Sequence, residues 1–136
     1  MKPQKVEIAG EYYTQNEESL DLSGKGLKEI PDFRDFTKLK FINLYNNRIR
    51  EITNLPPGIE ELILDANEIT EIPDLKGYTK LWKLFLRKNK ISKLVIDNLP
   101  LTIHSLFLAD NQITQIEKPA AKGRQQEGIC LWLVIH

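Results

Sequence analysis

One cysteine, one methionine and two histidines in 136 residues leave few groups for cofactor chemistry. With Cys130 alone, an internal disulfide is impossible and every metal motif built on cysteine pairs is excluded. His104 and His136 have no spaced partner for a catalytic triad or a metal site. Serines are few, and none sits in a nucleophile elbow. Of the 7 glycines, Gly24-Lys25-Gly26 is too short to cradle a phosphate as nucleotide-binding loops do. No catalytic residue, no metal and no cofactor is therefore expected, and the chain does not read as an enzyme. Neither charge sign is in excess, since 19 Lys+Arg meet 19 Asp+Glu. That balance excludes a nucleic-acid binder driven by bulk electrostatics, a polybasic membrane-surface protein and a strongly acidic disordered tail. The longest apolar run, Ile129 to Ile135, is far short of the roughly 20 residues of a membrane span. Met1 to Glu7 holds no apolar stretch of the kind a signal peptide needs. With the single cysteine, this gives a cytoplasmic expectation, with a host-cell or assembly-associated location as the alternative.

Valine is scarce too. There are 3 valines against 19 leucines and 16 isoleucines. One side-chain shape used over and over suggests an internal repeat. Apolar pairs occur at Leu20/Leu22, Ile42/Leu44, Leu62/Leu64, Leu84/Leu86 and Leu106/Leu108, at a nearly constant interval. Shortly after each pair comes Lys25, then Asn47, Asn67, Asn89 and Asn111, always at the same offset. Leu27, Ile49, Ile69, Ile91 and Ile113 follow, then Ile30, Ile52, Ile72, Leu94 and Ile116. The pattern L-x-L-x-x-N-x-I-x-x-I thus recurs five times, with Lys25 its one lapse.

Five copies in phase over Glu17 to Ile116 resemble the leucine-rich-repeat family. The resemblance implies an α/β solenoid: a horseshoe-like arc with a curved parallel sheet and short irregular or 3₁₀ returns. The physical reading agrees. Alternate strand residues point to opposite faces, so both L positions point inward and the residue between them points out. One unit cannot bury its own apolar face; stacked units can. The Asn follows the strand where the chain must turn sharply and backbone groups lose their ladder partners. Its amide both donates and accepts, so Asn47, Asn67, Asn89 and Asn111 are read as structural, each serving its corner and the Asn of the next unit.

A longer period, of two units, overlies the first. Ile30-Pro31-Asp32-Phe33 with Thr37-Lys38-Leu39 reappears as Ile72-Pro73-Asp74-Leu75 with Thr79-Lys80-Leu81. Asn54-Leu55-Pro56 with Ile59 reappears as Asn98-Leu99-Pro100 with Ile103. Odd units are expected to return through one short helical or 3₁₀ turn, and even units, through Asn-Leu-Pro, by extended or loop-like chain. The odd units resemble the class found in phosphatase-regulatory and splicing-factor repeat proteins; Leu55-Pro56-Pro57 is more similar to the bacterial secreted-effector class.

The organisation reads as an N-terminal cap at 1–19, with a short strand at Lys5 to Ile8, then repeats at 20–116 and a tail or terminal strand at 117–136. Ile129/Leu131 follows Leu106/Leu108 at close to the repeat interval, so a sixth strand is possible. An apolar strand with an open edge invites pairing with another chain, which makes self-association or assembly through residues 129–136 a possibility.

The resemblance implies a non-catalytic protein-interaction module that binds a protein through its concave face. Neither nucleic acid nor membrane is expected as a partner. The row between the inward leucines is Asp21, Asn43, Ile63, Phe85 and Phe107, flanked by Ser19, Phe41, Glu61, Lys83 and Ser105 and by Ser23, Tyr45, Asp65, Arg87 and Ala109. Strands about 4.8 Å apart would stack Ile63, Phe85 and Phe107 into one apolar strip on a solvent face. Phe41, Asn43, Tyr45, Ile63, Asp65, Phe85, Arg87 and Phe107 are the candidate contact residues. The alternatives are neighbour packing alone, a structural subunit docked through the C-terminal strand, and an effector-like binding protein. Charges repeat as well. One unit on, Glu61, Asp65, Glu68 and Glu71 map onto Lys83, Arg87, Lys90 and Lys93, and Arg48 maps onto Glu68. Adjacent units are expected to pair through them, a reading that also accounts for the basic cluster from Lys80 to Lys93.

Overall fold

In the computed structural model, residues 4–117 are described; the expected sixth strand, Cys130 and the tail beyond Glu117 lie outside them. The chain opens with β1 (Lys5–Ile8) and β2 (Glu11–Thr14). Then come β3 (Ser19–Asp21), β4 (Phe41–Asn43), β5 (Glu61–Ile63) and β6 (Lys83–Phe85). Last are β7 (Lys93–Val95), the 3₁₀ turn η1 (Ile96–Asn98), β8 (Ser105–Phe107) and β9 (Gln115–Glu117). β3, β4, β5, β6 and β8 form one parallel sheet in that order. Its register, Leu20↔Ile42↔Leu62↔Leu84↔Leu106, is the repeat register of the sequence.

The inward residues form one continuous core. Leu22, Leu44, Leu64, Leu86 and Leu108 are wholly buried, as are Ile49, Ile69 and Ile91. Each rung also donates to the next beyond the strand itself: the N–H groups of Leu22, Leu44, Leu64 and Leu86 reach Asn43, Ile63, Phe85 and Phe107 carbonyls at 2.8 Å. The first end of the stack is covered by the antiparallel hairpin β1–β2, whose Ile8 is buried while Val6 and Tyr13 pack on the core. Its tight turn has positive φ at both Ala9 and Gly10, the twist that short hairpins need. At the other end of the described chain Ile113 is half-buried and Ile116 is 43% exposed, where their counterparts in the middle rungs are buried.

The asparagine corners differ from expectation in one respect. Asn67 Nδ2 donates to Leu64 O of its own rung and Leu44 O of the preceding one, and its Oδ1 accepts from Ile49 N–H. Asn89 repeats this with Leu86 O, Leu64 O and Ile69 N–H. Asn47 does the same for Leu44 O and Leu22 O, and accepts from Lys25 and Leu27 N–H. The partners are backbone groups of its own and the preceding rung, not the next asparagine, because those are the groups the turn strips of ladder partners. Lys25 needs no amide of its own, since no full rung precedes it.

Directly before each corner the chain takes a left-handed residue: Gly24, Asn46, Ala66, Lys88 and Asp110, all with φ between 56° and 64°. That geometry aims the N–H of the first four at the next rung's carbonyl, at 2.8 to 3.0 Å. Glycine, Asn and Asp tolerate it; Ala66 and Lys88 do not, at about 1–2 kcal/mol each. Ala66→Gly should therefore stabilise the protein by about 0.5–1 kcal/mol, after the entropy glycine brings to the unfolded chain. Urea denaturation checks this, and a lower midpoint would sink it.

The returns correct a second expectation. The one 3₁₀ turn of the described residues, η1, lies in an even unit, not an odd one. It is compatible with Pro100 because it stops before Leu99, which is extended (φ −84°, ψ 142°), as a residue preceding proline prefers. Odd returns use successive i to i+3 bonds: Phe36 to Phe33, Leu39 to Phe36, Tyr78 to Leu75 and Leu81 to Tyr78. The two-unit period has its own staple. Asn54 Nδ2 donates to Ile30 O and Phe33 N–H returns to Asn54 O; Asn98, Ile72 and Leu75 repeat the arrangement. A second parallel pair, β7–β9, has no counterpart in the sequence reading; it joins the last two rungs of the described residues beyond their corners. No helix of the described residues is long and apolar enough to cross a membrane.

Candidate functional site

The concave rows assemble as the repeat spacing requires. Asp21, Asn43, Ile63, Phe85 and Phe107 are successive register partners, as are Ser19, Phe41, Glu61, Lys83 and Ser105. The face changes character along the stack. At the first rung Asp21 Oδ1 accepts from the Ser23 hydroxyl at 2.7 Å and from Ser23 N–H at 3.1 Å. The hydroxyl bond, aided by the N–H, holds the Asp21 carboxyl below its usual range. In the second rung Asn43 Oδ1 accepts from Tyr45 N–H, and Tyr45 stands 44% exposed. Phe41, Asn43 and Ile63 are half-buried.

The last two rungs of the described residues hold the densest cluster. Phe85 and Phe107 are stacked, with centroids 4.4 Å apart and planes 7° from parallel. The Arg87 guanidinium lies 5.8 Å from the Phe85 centroid and 5.7 Å from that of Phe107. Asp65 fixes that guanidinium. It accepts from Arg87 N–H at 2.7 Å, Nε at 3.1 Å and Nη2 at 2.8 Å. Asp65, grouped from sequence with the contact residues, is only 5% exposed and lies beneath Arg87. Together these groups present two aromatic faces and a planar cation in fixed geometry, the side-chain types favoured at interface centres. Beside them, Trp82 packs edge-on to His104 at 6.3 Å, and Lys83 Nζ stands 4.6 Å from the Trp82 ring. Trp82 and His104 are positions that a strand-only reading overlooks. They occupy the same place in successive units, directly before Lys83 and Ser105, so the repeat register itself is the signal that finds them.

Of the expected charge pairs, two form: Asp65–Arg87 at 2.8 Å and Glu68–Lys90 at 3.8 Å. The others are rearranged. Lys83 turns to Trp82 although Glu61 is its register partner. Lys93 pairs with Glu117 at 2.9 Å, because β7 and β9 bring that side chain alongside, in place of Glu71. Arg50, not Arg48, reaches Glu68, at 3.9 Å. Among the described residues no group of three His, Cys, Asp or Glu is placed to hold a metal ion.

The family model for leucine-rich repeats, in two copies, matches residues 18–57. YopM from Yersinia enterocolitica is similar in structure, with a TM-score of 0.59 and 25% identity over 76% of this chain and 24% of that one. An internalin, inlF, from Listeria monocytogenes has a TM-score of 0.61 and 18% identity over 86% of this chain and 40% of its own. This chain therefore matches less than half the length of either protein. No curated protein matches it in sequence.

Proposed function

We propose that this chain, a parallel-sheet solenoid similar to leucine-rich-repeat proteins, is a non-catalytic module that binds a protein through its concave face. The observation that carries this reading is the Phe85–Phe107 stack held with Arg87 by Asp65. Aromatic and guanidinium groups already ordered in the free protein lose little side-chain entropy when a partner covers them. Neighbour packing alone accounts for the rings but not for the buried carboxylate that fixes Arg87 over them. Ile63 extends the cluster toward Asn43 and Tyr45, so a partner can lie across the rungs and meet polar groups at their early end.

Affinity capture from the source organism tests the reading, with Phe85→Asp as control. The variant should keep the wild-type far-ultraviolet spectrum and hold the captured protein about 30-fold or more weakly, the loss typical of a central anchor. Equal capture by both proteins would refute the concave site.

A further inference from the structure

A second surface lies on the flank of the solenoid, just past the asparagine corners. There the chain alternates, burying Leu27, Ile49, Ile69 and Ile91 to different degrees and turning the residues on either side of them outward. The first outward row runs Gly26, Arg48, Glu68 and Lys90; the second runs Lys28, Arg50, Thr70 and Ser92. Backbone bonds bring successive rungs side by side here: Arg48 N–H to Leu27 O at 2.7 Å, Glu68 N–H to Ile49 O and Lys90 N–H to Ile69 O. Four cations thus share this flank with one carboxylate, in a chain whose total charge is zero.

A cavity of about 550 Å³ opens at this place, lined by Lys28, Arg48, Arg50 and Glu68. Glu29 and Glu51 follow Lys28 and Arg50 in sequence but do not line it. Glu68 is shared between Arg50 at 3.9 Å and Lys90 at 3.8 Å, both long for a hydrogen-bonded pair. One carboxylate at such distances leaves the cavity cationic. Gly26, the register counterpart of Arg48 in the preceding unit, adds no side chain to compete for this space. Two guanidinium groups and an ammonium around one space suit a tetrahedral oxyanion, because guanidinium forks match phosphate oxygens in pairs.

We propose that this flank is a binding site for a phosphate-bearing anion, gripped by Lys28, Arg48 and Arg50. It is separate from the concave face, since its residues leave the chain beyond the corner asparagines. It also differs from a nucleic-acid surface, which would extend the positive potential over many phosphates. Here the cations converge on one cavity.

Amide chemical shifts followed during titration with inorganic pyrophosphate, at ionic strength held constant with chloride, test the site. Saturable shifts confined to residues around Lys28, Arg48, Arg50 and Glu68 are expected. Arg48→Ala should weaken binding about tenfold, the loss of one charge-assisted contact. Glu68→Gln should tighten it about threefold by removing the competing carboxylate. Both variants change outward side chains, and their spectra report whether the fold persists. Non-saturating shifts, or the same affinity in wild type and Arg48→Ala, would overturn the proposal. Flotation with phosphatidylcholine vesicles, with and without a phosphatidylinositol bisphosphate, identifies the source of the phosphate. Retention that depends on the bisphosphate and on Arg48 assigns a lipid headgroup; pyrophosphate binding without retention assigns a soluble phosphate. Concave-face capture with Phe85→Asp is independent of either result.

Discussion

Asn89→Ala should cost about 3–4 kcal/mol, a large share of the stability of a domain this size. The residue is 7% exposed, and its side chain both donates and accepts. Its Nδ2 donates to Leu64 O at 2.9 Å and Leu86 O at 3.1 Å, and its Oδ1 accepts from Ile69 N–H at 2.9 Å. Alanine leaves those backbone groups inside the stack, out of reach of water and without partners. An orphaned buried group costs more than an average hydrogen bond contributes, about 1–3 kcal/mol. The melting temperature should fall by about 10–15 °C. Asn111 holds the same position in the last rung of the described residues but is half-buried, so water can replace part of its role. Asn111→Ala should cost about 1–2 kcal/mol. Thermal denaturation of the two variants side by side checks this; equal losses would show that rung position and burial do not govern the corner.

Phe33→Ala should cost about 3–5 kcal/mol. Phe33 is wholly buried and Phe36 is 1% exposed, and their rings meet edge to face at 5.1 Å. They fill the space behind the first strand where the odd return crosses the core, and alanine would leave a cavity that the tight i to i+3 turns cannot close. Phe85→Ala should cost only about 1 kcal/mol, since it loses one ring contact on a half-solvated face. Urea denaturation separates the two roles. If Phe85→Ala proved as costly as Phe33→Ala, Phe85 would be core, and the concave reading would lose its main support.

Much of the architecture is legible before any coordinate. Leu20/Leu22 and their counterparts state the strands, the inward direction and the order of rungs, because so short a repeat leaves one way to bury every apolar pair. Asn54 and Asn98 stand out in the sequence as a two-unit period, but their role does not. Their amides staple odd returns to even ones, a contact between segments distant in sequence. The left-handed row through Ala66 and Lys88 is hidden for a different reason. Neither residue favours that conformation, and only the demand of the inter-rung hydrogen bond imposes it.

By itself, then, the sequence determined the solenoid, its register and the rows that share a face, since those follow from periodicity and burial. Only the tertiary structure decided how the side chains on those rows are used. Asp65 paired with Arg87 as its register position required but became buried in doing so, Lys83 took Trp82 over Glu61, and Lys93 crossed to Glu117. Periodicity places charges opposite one another on adjacent rungs. Which contact forms depends on long, flexible side chains choosing among several neighbours whose energies differ by less than about 1 kcal/mol.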